Sequence, residues 1–300
     1  MDIRLVKQEE LDRLKWDSCI HYASNGSVVG YKWFLNNVTK DWDALVEGDY
    51  ESVFPLTWSK DALGRNVLRQ PILIRKLGVF SVHILSPKRI AAFLDAIPSD
   101  YQSIQIALNE RNTFETQKDF QWNSHSNYQL LLTDGYDAIS EKYDESLKRI
   151  LIEQQDFLIP ISNIKPERLA DFYRQHTKDK KQREEKFHAV QRIMYNAMHR
   201  GIGFTTGITD LQGNLLAANF FIYSHGKALS FLPVETPVGE KSGALNMLFD
   251  LFIRSHAGRP LILDFNTANT YPKLFGAQEN QYFQIEKEER KWRFLDRLVS

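Results

Sequence analysis

The chain has 300 residues, 43% of them hydrophobic and 25% charged, the ordinary balance of a soluble globular protein long enough for two domains with separate cores. Thirty-eight Lys and Arg offset 38 Asp and Glu, so no global field draws the chain to nucleic acid or anionic lipid. One cysteine, Cys19, excludes an intramolecular disulfide and any multi-cysteine metal site.

Beside Trp16 and Ile20, Cys19 reads as a buried thiol rather than a nucleophile. Met1-Asp2-Ile3-Arg4 shows no secretory pattern. Residues 245–253 are apolar but interrupted by Asp250, and fall well short of the ~20 needed to cross a bilayer. The expectation is a cytoplasmic protein without a membrane span.

In chain order, residues 9–23 read as a helix with Leu11, Leu14 and Ile20 apolar, followed by the turn Ser24-Asn25-Gly26-Ser27. Residues 31–38 suggest a second short helix. Residues 43–47 and 50–56 flank Gly48-Asp49 as a hairpin, and 57–70 predict another strand pair around 61–64. Ser86-Pro87 is a helix start, with Ser as N-cap and Pro at the first helical position. Ile90, Phe93, Leu94 and Ile97 then form one buried stripe. Residues 103–108 and 128–132 are strands.

Residues 134–156 read as a polar helical connection, which places the domain boundary at 157/158. A helix starts at Pro166. The charge run 178–186 reads as a solvated face or loop rather than a binding patch. Phe187, Val190, Met194, Ala197 and Met198 make a helical stripe ending at Gly201. Strands follow at 203–209, 215–223 and 227–234. A helix spans 239–256, then come a short strand at 261–263 and a last one at 282–285. The two halves share an order of helix, antiparallel strands, helix and strand, with no residue-level repeat.

The second half resembles a GNAT acyltransferase domain. The resemblance rests on the hairpin 203–223, the strand 228–234, the helix opening Gly239-Glu240-Lys241-Ser242-Gly243-Ala244, and the segment 263–277. In that family the strand before the central helix pairs its backbone with pantetheine, a role that would fall to Leu232 and Val234. The turn into the helix receives the pyrophosphate, here Gly239, Lys241, Ser242, Gly243 and Ala244. A helix N-terminus suits that role because its first amides are unpaired and its dipole end is positive. The family pattern is Gln/Arg-x-x-Gly-x-Gly/Ala. With Gly243 at its first glycine, Glu240 and Leu245 stand where Gln/Arg and Gly/Ala belong, so a plain helix start reads equally well.

Asp264-Phe265, Tyr271, Lys273 and Phe275-Gly276 are similar to the Fem branch of that superfamily, the FemAB- and FemX-like bacterial proteins. In the first half, Gly30-Tyr31-Lys32-Trp33-Phe34-Leu35, Gly48-Asp49-Tyr50, Val53-Phe54-Pro55-Leu56, Gln70-Pro71 and Leu77-Gly78-Val79-Phe80-Ser81 carry a similar resemblance. It implies an α/β fold of two tandem GNAT-like domains, each a mixed, mostly antiparallel sheet flanked by helices. These would be residues 1–157 and 158–300, with the tail 286–300 packing back on the first. It also implies an N-acyltransferase that uses acyl-CoA, for instance acetyl-CoA, as donor and a small-molecule or cell-wall-precursor amine as acceptor. The alternatives are an aminoacyl-tRNA donor and a non-catalytic binding protein that kept the fold.

N-acyl transfer needs a polarised carbonyl, a neutral amine and a proton for the leaving group. Backbone amides of residues 231–234 are the candidates for polarising the carbonyl. Glu235 or Asp264 is the candidate base, against a loop carboxylate and a turn cap respectively. Tyr271 is the candidate acid, against simple packing. Asn266 and Lys273 are the further donor-binding candidates. Tyr31, Trp33, Gln70 and Arg75 are the candidates for an acceptor pocket between the halves. The eight histidines show no ligand spacing, so no metal is expected.

Overall fold

The computed structural model describes residues 1–115, 119–177 and 183–287. The chain forms two compact units: Met1–His125 together with residues from Gln281 onward, and Ser126–Asn280.

The first unit begins with β1 (Ile3–Val6), α1 (Arg13–Tyr22) and α2 (Lys32–Val38). Asp12 caps α1 by accepting from the Leu14 and Lys15 amides. β2 (Trp42–Glu47) and β3 (Ser52–Lys60) form the expected hairpin, with Gly48 and Tyr50 at positive φ. The strands expected at 50–56 and from 57 onward are one strand. Its first part pairs with β2 from Thr57 back to Ser52, and its end pairs with β4 (Asn66–Arg69) from Trp58 to Lys60. β5 (Phe80–Ser81), α3 (Pro87–Asp95) and β6 (Ile104–Ala107) follow. Ser86 Oγ accepts from the Arg89 amide at the start of α3. Ile90, Phe93 and Leu94 pack on Phe54, Leu68, Ile104 and Ile106. Strand order is β1-β2-β3-β4-β6, then a strand through Gln284–Lys287, and only β4 and β6 run parallel in this series.

The second unit takes up β7 (Gln121–Leu131) from Ser126 and continues with α4 (Tyr136–Ser140), α5 (Glu145–Gln154), β8 (Ile159–Ser162), α6 (Pro166–His176) and α7 (Arg183–His199). β9 (Gly203–Thr209), β10 (Leu215–Ser224), β11 (Lys227–Ser230) and β12 (Val234–Glu235) come next. Then follow α8 (Pro237–Ser242), α9 (Ala244–His256), β13 (Ile262–Asp264), a 3-10 turn at Tyr271–Phe275 and β14 (Gln278–Lys287). Strand order is β8-β9-β10-β11-β13-β7, with β11 and β13 parallel and the other neighbours antiparallel. α9 buries Met247, Leu248, Phe249, Phe252 and Ile253 against Phe221, Phe265 and Phe275.

The contact units meet at 125/126 and 280/281, and the expected boundary at 157/158 lies inside the second of them. Other sequence expectations change. The connection 134–156 is α4 and α5, whose Ile139 and Leu147 join the second unit's core with Tyr143 between them. The helix expected over 239–256 is two helices, because Gly243 takes φ 68 and its N–H turns back to the Gly239 and Glu240 carbonyls. The strand expected over 227–234 is interrupted. From the tail, Glu286 and Lys287 pair with Gln105 and Ile104 of β6; 288–300 lies outside the described residues, as does most of the charge run 178–186.

Candidate active site

β11 follows β13 in parallel from Lys227↔Ile262 to Leu229↔Asp264. Past that point the two strands part. β10 holds Ser230 opposite Phe221 and Val234 opposite Ala218. Four steps of chain therefore face three, and one extra residue makes a bulge. Asn219, fully buried in the middle of an apolar strand, clamps the bulge. Its Nδ2 donates to Ser230 Oγ at 2.8 Å and its Oδ1 accepts from the Leu232 amide at 3.1 Å. The Phe231 amide donates to the Phe220 carbonyl at 2.9 Å, and the Thr236 amide to the Leu216 carbonyl at 2.8 Å. Two of the amides considered for polarising a carbonyl, Phe231 and Leu232, are thus committed inside the sheet, and Pro233 has none. Val234 and Thr236 face β10, so antiparallel alternation turns the Glu235 amide and carbonyl toward the opposite edge, where β13 has departed.

Tyr271 stands at the start of the 3-10 turn that follows β13. Its ring packs on Phe249 and Phe265, at 5.9 and 6.0 Å between centroids. Its hydroxyl is buried and has no hydrogen-bond partner. Burial raises the phenol well above the usual tyrosine range, and the charge of Glu235 raises it further. Glu235 is thus near enough for its charge to act on the Tyr271 phenol. Asp264 is arranged differently: 3% exposed, it accepts from Asn127 Nδ2 at 3.0 Å, Gln129 Nε2 at 2.8 Å and the Asn266 amide at 2.9 Å. Asn266 stands at φ 51, so Asp264 holds the turn that leads the chain away from β13. Lys273 is exposed, paired with Glu279 at 3.0 Å and set over the Tyr128 ring at 5.5 Å.

The expected pyrophosphate cradle is enclosed. Gly239 is buried with its amide capped by Thr236 Oγ1, and an added Cβ would lie 2.4 Å from the Leu216 carbonyl oxygen. Gly243 and Ala244 are buried too, and a Cβ on Gly243 would lie 2.4 Å from Ile150 Cγ2 of α5. Lys241 is exposed, and Ser242 Oγ donates to the Gly239 carbonyl at 3.2 Å.

The four acceptor-pocket candidates all lie in the first unit. Tyr31 and Trp33 flank the start of α2, where Tyr31 Oη meets His21 Nδ1 at 3.4 Å and the Trp33 carbonyl accepts from Asn37 Nδ2 at 2.7 Å. Gln70 Oε1 accepts from the Ala107 amide at 3.2 Å, and Arg75 Nη2 donates to Tyr282 Oη at 3.1 Å. Gln70 Nε2 and Arg75 Nε are buried without partners. Cys19 is buried and its thiol is pushed up to about 12 by desolvation first and Glu47 second, the state of an inert thiol. Among the described residues no group of three or more His, Cys, Asp or Glu is placed to hold a metal ion, and no helix is long and apolar enough to cross a membrane.

Asn219, Asn127 and Gln129 were missed by the sequence reading. A polar residue inside Ala217-Ala218-Asn219-Phe220-Phe221 was the available signal. Nothing local marked Ile150.

A mixed α/β architecture with a strand pair that parts after its parallel stretch is consistent with a GNAT-like fold. Solved structures share it across nearly the whole chain. FemX matches with a TM-score of 0.61 at 10% identity, over 94% of this chain and 97% of that one. L-PGS from Bacillus licheniformis gives 0.54 at 11%, over 96% and 94%. A tandem GNAT protein from the clavulanic acid biosynthesis pathway gives 0.50 at 12%, over 96% and 98%. At these identities the likeness is one of fold. No protein-family model and no curated protein sequence matches the chain.

Proposed function

We propose that the chain is an N-acyltransferase, with the acyl group of acyl-CoA lying along the outer edge of β12 and passing to an amine. The observation that carries this reading is the bulged β11–β12 edge where β11 and β13 part, with the charge of its Glu235 acting on Tyr271, whose buried hydroxyl has no partner. A buried, unsatisfied donor is costly to keep, about 1–3 kcal/mol, and a substrate atom supplies the missing partner. Because burial keeps the Tyr271 phenol protonated, it can donate to a departing thiolate as the carbonyl–sulfur bond breaks. The neutral amine attacks the carbonyl carbon, and Glu235 accepts the proton that its nitrogen loses as the amide bond forms, directly or through one water. Asp264 positions the turn rather than the proton. Leu232, Val234, Asn266, Lys241 and Ser242 border the donor path.

A second reading, an ester-linked aminoacyl donor such as aminoacyl-tRNA, is favoured by one observation. Gly239, Gly243 and Ala244, the residues expected to cradle a pyrophosphate, are buried under the protein's own atoms.

Calorimetric titration with coenzyme A and acetyl-CoA, followed by turnover of wild type and Tyr271→Phe on an amine panel, tests both. Micromolar binding of acetyl-CoA with turnover lost in Tyr271→Phe supports the thioester reading. Absence of coenzyme A binding, with aminoacyl-tRNA binding that weakens steeply with salt, supports the second. Neither binding in a folded protein overturns acyl transfer and leaves a binding protein on the same fold.

A further inference from the structure

A groove of about 560 Å³ opens in the second unit between α4, α5 and α9, within the size range of small-molecule sites. It is distinct from the β12 edge, and its ligand chemistry does not depend on acyl transfer. Leu151, Leu158, Met247 and Leu251 line it with apolar surface. Its polar wall is unusual. Asp250 is 2% exposed and accepts one short hydrogen bond, from Tyr136 Oη at 2.8 Å. Its other oxygen has only a long 3.4 Å contact from Arg254, a mostly exposed side chain that also donates to Tyr136 Oη and lies over the Tyr136 ring. Beside it, Tyr143 is 4% exposed, and its hydroxyl makes no hydrogen bond of ordinary geometry, with the Asp250 carboxylate as its neighbour at the edge of that range. Asp250 is near enough for its charge to raise the Tyr143 phenol further above the range that burial already sets.

A buried carboxylate can accept about four hydrogen bonds and a phenol oxygen can accept as well. Here both line one cavity with acceptor capacity unused. The formal charges on the lining point the same way: Asp137, Glu141 and Asp250 against Lys148 and Arg254. Lys148 is itself occupied by Glu145 and the Glu141 carbonyl. A ligand with several N–H donors, one positive charge and an apolar body complements this wall. A carboxylate or phosphate would face Asp250.

We propose that the α4–α5–α9 groove binds a primary amine carried on an apolar body, its ammonium seated between Asp250 and Tyr143 and its body against Leu151, Leu158, Met247 and Leu251.

The test uses the full chain and three probes of matched body: phenethylamine, 2-phenylethanol and 3-phenylpropanoate, with binding read by ligand-observed NMR titration. The amine is expected to bind at least about tenfold more tightly than the other two, a difference of about 1.4 kcal/mol or more. Two variants localise it. Tyr143→Phe removes a hydroxyl whose internal contact is at most a weak one to Asp250, so the melting temperature changes little while amine affinity falls several-fold. Ile152→Lys puts a cation at the exposed rim, where Ile152 is 68% exposed, and lowers amine affinity without touching the core. Equal binding of the three probes, no amine binding to wild type, or wild-type affinity in both variants overturns the proposal.

Discussion

Replacing Gly243 by alanine separates a glycine needed for folding from one kept open for a ligand. Gly243 takes φ 68, and its Cβ would lie 2.4 Å from Ile150 Cγ2 and 3.8 Å from Ile150 Cβ. The left-handed backbone costs an L-residue about 1–2 kcal/mol, and forcing a methyl into a packed contact adds about 1–3 kcal/mol. The lower entropy of the unfolded alanine chain returns about 0.4–1 kcal/mol. The net loss expected for Gly243→Ala is therefore about 2–4 kcal/mol, with the sum limited by how far α5 yields. Ile150→Ala removes the colliding Cγ2 and leaves a Cβ at ordinary contact distance. In that background Gly243→Ala should cost only the backbone share, about 1 kcal/mol. Urea unfolding of the four proteins of this cycle, followed by circular dichroism, measures the coupling directly. Equal costs of Gly243→Ala in both backgrounds, or a cost below about 1 kcal/mol in the wild-type background, would refute the packing argument and return Gly243 to the role of an open phosphate cradle.

Three further outcomes are expected. Tyr271→Phe removes a buried hydroxyl without a partner, so stability should hold or rise by up to about 1 kcal/mol while turnover falls; a lowered melting temperature would mean that the hydroxyl is bonded in the folded protein. Arg89→Ala strips the ion pair from Glu47, a 6% exposed carboxylate otherwise held by Ser52 Oγ at 2.6 Å, and should destabilise the first unit by about 3–5 kcal/mol in urea unfolding; a loss under about 1 kcal/mol would show the carboxylate finding another partner. His256 has its pKa lowered below 6.5, first by burial and also by Arg259, although its bond to the Phe252 carbonyl acts in the other direction. The unfolded chain then binds the proton more readily than the folded one, so the contribution is complete above pH 6.5 and declines as pH falls toward the folded value. His256→Asn should flatten the melting-temperature profile just below pH 6.5, and an unchanged slope counts against the assignment.

Much of the architecture was legible because periodicity and end signals agreed. Ser86-Pro87 opened α3 on the expected residue, and the stripe through Phe187 to Met198 gave α7. What escaped depends on contacts between residues far apart in the chain. α5 buries one of its ten residues, Leu147, which is why 134–156 read as a linker. Its partner is the glycine at 243, almost a hundred residues later. The break between β11 and β12 follows from Asn219 reaching across the sheet to Ser230 and Leu232. At the candidate site, the residue types of Tyr271, Glu235 and Asp264 were visible in sequence, but not the setting of each side chain. That setting is a matter of distant partners: three donors for Asp264, none for the Tyr271 hydroxyl.

The strand orders of the two units are the same, and in each the strand beyond the parallel pair comes from outside the stretch that builds the rest. For the second unit it is β7, made before the others; for the first it is the end of β14, made after all of them. On the ribosome the first unit therefore waits. Ile104–Ala107 has emerged long before Gln284–Lys287, its pairing partner, and until then that β6 edge presents unpaired amides and carbonyls. The second unit has every strand in hand by then, so synthesis from the N-terminus finishes the C-terminal body first. A fragment ending at residue 280 would lack the strand that closes the first unit's sheet, whereas the same cut leaves the second unit's six-strand order whole.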